Sequence, residues 1–103
     1  MSRLEALIEW VEKDPNDVFS LYGLAMEYAK TGDTDRALSV FDDIMKRFPE
    51  YVAAYYHMGK TYESVERLDE AKAVYERGIA AAKAAGDGHA VSELEEALEE
   101  LGK

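Results

Sequence analysis

Apolar residues recur at helical spacing along the whole chain, broken at regular intervals by proline and glycine. Leu4, Leu7, Ile8 and Val11 fall at i, i+3, i+4 and i+7, which predicts a first helix from about Ser2 to Lys13, with Trp10 widening its apolar stripe. Asp14-Pro15 ends that helix, because the residue before proline is pushed out of the α region. Asn16 or Asp17 is placed to cap a second helix, roughly residues 17–31, in which Leu21, Leu24, Ala25 and Tyr28 form the core stripe. Gly32 stops it, and Asp33 or Thr34 caps a third helix that runs to about Phe48, with Ala37, Leu38, Phe41, Ile44 and Met45 inward.

The pattern is then written again. Leu21, Leu24, Ala25, Tyr28, Ala37 and Phe41 correspond to Tyr55, Met58, Gly59, Tyr62, Ala71 and Tyr75, always 34 positions on. A fourth helix is expected over about 51–65 and a fifth from about Leu68, with Ala71, Val74, Tyr75 and Gly78 inward. The fifth runs through the helix-forming stretch Ala80 to Ala85 and stops at Gly86. A sixth, about 89–101, sets Val91, Leu94, Leu98 and Leu101 against a face of Glu93, Glu95, Glu96, Glu99 and Glu100, the signature of a solvated end cap. A fixed period in this range indicates stacked units that cannot bury their apolar faces alone.

Leu21-x2-Leu24-Ala25-x2-Tyr28-x3-Gly32-x4-Ala37-x3-Phe41-x2-Ile44-x4-Pro49 resembles the tetratricopeptide repeat (TPR), a helix–turn–helix unit, and Tyr55-x2-Met58-Gly59-x2-Tyr62-x8-Ala71-x3-Tyr75 is similar to it. The resemblance implies an all-α fold, a right-handed superhelical stack of antiparallel helix pairs with about six helices. It also implies one domain over residues 1–103: a flanking helix at 2–14, repeats at 16–49 and 50–83, and a capping helix at 87–101. Small residues at Ala25/Gly59 and Ala37/Ala71 are expected where helices cross closely, with Phe41/Tyr75 and Tyr28/Tyr62 filling the gaps. Two positions depart from the pattern. Lys83 replaces the closing proline, and Glu66 stands where Gly32 stands, leaving either a strained left-handed second turn or one of another shape.

The second helix has more apolar surface than one face can use. Phe19, Tyr22, Met26 and Ala29 form a second stripe, turned about 130° from the first, and Lys30 lies with them. TPR arrays are mostly interaction scaffolds whose first helices line a concave groove, so the resemblance implies a partner-binding groove. Its lining would be Phe19, Tyr22, Met26, Ala29 and Lys30 in the first unit and Ala53, Tyr56, Lys60, Glu63 and Ser64 in the second. The alternative is that the flanking helix covers Phe19 and Tyr22 and makes them core. The expected function is that of a small adaptor holding a peptide or helix of a partner protein. Homo-oligomerisation through the same apolar face is the alternative, the chain being a monomer or weak homodimer. Asparagine and arginine are missing from the groove positions, so a clamp for C-terminal carboxylates is not expected.

Composition narrows the partners. The chain of 103 residues has 22 acids against 12 bases, a net charge of -10. That balance argues against a nucleic-acid backbone or an anionic membrane surface as the main partner. It has no cysteine, so thiolate chemistry is excluded. Neither a membrane span nor a secretory leader is apparent, and a cytoplasmic protein is expected. His57 and His89 lack a ligand cluster around them. Asp33-x-Asp35 opens like a calcium loop but continues with Ala37 and Ile44 where oxygen ligands belong. No phosphate loop or nucleophile–base pair is visible, and neither a cofactor nor an enzymatic activity is expected.

Overall fold

The computed structural model describes residues 1–103 and is entirely helical between its turns. The helices are α1 (Arg3–Lys13), α2 (Val18–Lys30), α3 (Thr34–Arg47), α4 (Ala53–Ser64), α5 (Leu68–Ala85) and α6 (Gly88–Leu101). They form two compact units, 1–48 and 49–103.

Short polar side chains start four of the six helices. Ser2 and Glu5 form a capping box on α1, the Ser2 hydroxyl accepting from the Glu5 N–H at 3.1 Å and the Glu5 carboxylate accepting from the Ser2 N–H at 3.3 Å. Asp17 accepts from the Phe19 N–H, Asp33 from Arg36 and Asp87 from Ala90, each satisfying a donor that the helix itself leaves open. No side chain caps α4 or α5.

In the first unit α1 packs on α2 and α2 on α3. The core is built from Leu7 of α1, Leu21, Leu24 and Ala25 of α2, and Ala37, Leu38, Phe41, Ile44 and Met45 of α3, all buried. Of the α1 stripe only Leu7 is fully buried, and Trp10 is 51% exposed, so it does not widen that core. Arg47 holds the link around Pro15 in place. Its guanidinium donates to Asn16 Oδ1 at 2.9 Å and to the Pro15 carbonyl at 2.8 Å while pairing with Asp43.

In the second unit α4 packs on α5, α5 on α6, and α6 also touches α4. The α4–α5 crossing is tight in both directions. A Cβ on Gly59 would lie 2.2 Å from the Tyr75 ring, and one on Gly78 would lie 2.6 Å from the Cβ of Tyr55. Each helix thus gives up a side chain where its neighbour's tyrosine enters, which is the physical reason for small residues at these positions. The Tyr55 hydroxyl donates to the Pro49 carbonyl at 2.7 Å, tying the entry of α4 to its own core. In α6 the buried residues are Leu94 and Ala97, with Val91, Leu98 and Leu101 half-buried, so the inward face is turned slightly from the expected stripe.

Candidate functional site

The first unit presents one face of α2. The Asp17 cap fixes where α2 begins, and the buried side of Leu21, Leu24 and Ala25 fixes its rotation. That leaves Phe19 73% exposed, Tyr22, Met26 and Ala29 half-buried, and Lys30 exposed. Aromatic surface and a cation thus lie together on the outer side of a well-anchored helix. Neighbouring Glu27 is occupied, with Arg3 of α1 3.6 Å away.

In the second unit α4 brings Tyr56, Lys60 and Glu63 together. The Lys60 ammonium lies 5.5 Å from the centre of the Tyr56 ring and 3.6 Å from the Glu63 carboxylate. Glu63 also accepts from the hydroxyl of Tyr75, a residue with no exposed surface, and the Tyr56 and Tyr75 rings are tilted against each other at 6.4 Å. Burial, and then the Glu63 carboxylate, push the Tyr75 phenol above its ordinary value. The phenol therefore stays protonated and serves as a fixed donor. Glu63 in turn positions Lys60, so the three side chains are held as a set. Ala53 is exposed one turn before Tyr56, and Ser64 donates back to the Thr61 carbonyl at 2.6 Å.

Two clefts open beside this set. The larger, about 260 Å³, has Val52, Ala53, Tyr56 and Leu94 among its apolar lining and Asp87, His89 and Glu93 among its polar lining. The other, about 200 Å³, is shared by Tyr56 and Lys60 with Glu93, Glu96 and Glu100 of α6. Sequence reasoning assigned the α6 glutamates to solvent alone. They are exposed, but three of them also border the α4 residues. The signal available was their spacing, since 93, 96 and 100 follow one side of a helix. Burial lowers the His57 imidazole below its ordinary value, with Glu93 pulling the other way. No three carboxylate or imidazole groups are gathered so as to hold a metal ion.

A family model described as tetratricopeptide repeat matches residues 28–92. A TPR repeat-containing protein of Pseudomonas aeruginosa is 28% identical over 98 residues, which span 95% of this chain and 93% of that protein. Among solved structures, a tetratricopeptide repeat domain protein of Salinibacter ruber is 40% identical. It superimposes with a TM-score of 0.81 over 85% of this chain and 89% of its own. A Bordetella parapertussis protein solved in solution is 26% identical, with a TM-score of 0.86 over 99% of this chain and 89% of its own.

Proposed function

The chain belongs to the tetratricopeptide repeat family, whose domains generally serve protein interaction and are typically non-catalytic, and from that premise we propose that it is a small adaptor. It holds a peptide or helix of a partner protein against the outer face of α2, Phe19, Tyr22, Met26 and Lys30, and against Tyr56, Lys60 and Glu63 of α4. The observation that carries this reading is the exposure of Phe19 at 73% beside half-buried Tyr22 and Met26, on a helix whose opposite side is fully engaged in the core. Exposed aromatic surface of this kind marks interaction sites, and interface energy concentrates in a few aromatic anchors.

The test separates folding from binding. Peptides selected by display on the immobilised protein are synthesised and titrated against wild type and variants in solution. Tyr22→Ala is expected to weaken binding by about thirtyfold, corresponding to about 2 kcal/mol, while its urea midpoint stays close to wild type. Leu24→Ala, which empties a buried site, is expected to cost about 2–5 kcal/mol of stability. Wild-type affinity in Tyr22→Ala, or unfolding as severe as that of Leu24→Ala, would overturn the reading.

A further inference from the structure

We propose that the cleft between α4 and α6 takes a basic amphipathic segment of the partner, an apolar side chain seated on its floor and lysine or arginine side chains along its α6 rim. This rests on the interaction reading above and adds the chemistry of the partner. The floor is apolar: Val52, Ala53, Tyr56 and Leu94 line a cleft of about 260 Å³, large enough for an apolar side chain. The rim is acidic. Asp87 and Glu93 border that cleft, and Glu96 and Glu100 carry the same side of α6 past Lys60.

The local charges are unevenly satisfied. Lys60 is already engaged by Glu63, and it lies over the Tyr56 ring. Glu93, Glu96 and Glu100 form no ion pair, whereas carboxylates on other helices do: Asp42 pairs with Lys46, Asp43 with Arg47 and Glu70 with Arg67. Glu93 thus borders the apolar cleft and Glu96 and Glu100 the adjoining one, where the chain's own cation, Lys60, is already engaged by Glu63. An acidic segment or a phosphate backbone would be repelled there, whereas lysine or arginine completes the set. An apolar floor beside a predominantly acidic rim selects an amphipathic occupant over a merely charged one.

The probes are synthetic: a leucine/lysine amphipathic helix about five turns long, and the same helix with glutamate replacing lysine. They are titrated against the full chain at about 0.15 M salt, where exposed charges more than about 8 Å apart are largely screened. One variant removes the rim charges (Glu93→Gln, Glu96→Gln, Glu100→Gln). A control removes as many exposed charges elsewhere (Glu12→Gln, Glu76→Gln, Glu95→Gln). The lysine helix is expected to bind and the glutamate helix not to. The rim variant should weaken binding about tenfold or more and the control less than about twofold. Equal losses in the two variants would reduce the effect to the general pull of an acidic protein and overturn the proposal. Equal binding of both helices, or of neither, would also overturn it. If display-selected peptides still lose affinity with Tyr22→Ala but ignore the rim variant, the interaction reading stands and the cleft assignment alone falls.

Discussion

The turns after α2 and after α4 are closed by the same bonds and by different residues. After α2 the Asp33 N–H donates to the Tyr28 carbonyl at 2.9 Å and Gly32 to Ala29 at 3.2 Å. After α4 the Arg67 N–H donates to Tyr62 at 3.0 Å and Glu66 to Glu63 at 2.9 Å. Both are Schellman closures, which need a left-handed residue at their centre. Gly32 takes φ 87° there without steric cost, and Glu66 is held at φ 59° despite its Cβ. The next residue differs as well. Asp33 goes on to cap α3, whereas Arg67 offers α5 no cap and pairs instead with Glu70 while lying 4.9 Å over the Tyr62 ring. The lesson is that repeat geometry is imposed by packing on both sides of the turn: the second hairpin keeps the closure although its local sequence opposes it.

The largest effect should come from the crossing that imposes it. Gly59→Ala puts a methyl group into the Tyr75 ring and forces that ring, with its bond to Glu63, to shift. We expect a loss of about 1–3 kcal/mol in urea unfolding, although the first repeat carries alanine at the equivalent buried position, Ala25. A variant as stable as wild type would mean that the two crossings are interchangeable.

Grafting the first turn onto the second should act in the opposite direction. Glu66→Gly relieves about 1–2 kcal/mol of left-handed strain, less about 0.4–1 kcal/mol of added unfolded-chain entropy. Adding Arg67→Asp supplies a cap worth about 1 kcal/mol at the expense of an exposed ion pair. The double variant should therefore melt above wild type. A lower melting temperature would show that Arg67 contributes more through Glu70 and Tyr62 than the cap returns.

The smallest effect is one of pH, and it arises at His57 in the second unit. Burial keeps His57 below its ordinary value of 6.5, so as pH falls through 6.5 the unfolded chain takes up a proton that the folded chain resists. Stability is fully present above 6.5 and declines below it until the folded imidazole also titrates. Replacing the residue in His57→Gln should remove that part of the decline, read as the difference between the two proteins' urea stabilities across this range. Parallel curves would contradict it.

Much of the fold was legible because repetition supplies its own check. A period carried by Leu21/Tyr55, Ala25/Gly59 and Phe41/Tyr75 fixes helix pairing and inward faces together, and the observed helix ends lie within one or two residues of expectation. The exceptions lie where one face has no repeat partner to define it. Trp10 is a large apolar residue beside an apolar stripe, yet α1 meets only α2, and half of the indole remains in water. In α6, periodicity separated leucines from glutamates but could not show that α4 would stand across from Glu93, Glu96 and Glu100. Similarly, the pattern placed Tyr56, Lys60 and Glu63 on one side of a helix, while the hydroxyl of Tyr75 that holds Glu63 comes from the next helix.

The binding proposal is tested most directly by an amide chemical-shift footprint of a display-selected peptide on the labelled protein. The shifts should concentrate on α2 around Phe19, Tyr22 and Met26 and on α4 around Tyr56 and Lys60, leaving the exposed sides of α3 and α5 unchanged. A footprint on Asp42, Lys46 and Glu76, with the α2 face silent, would contradict it.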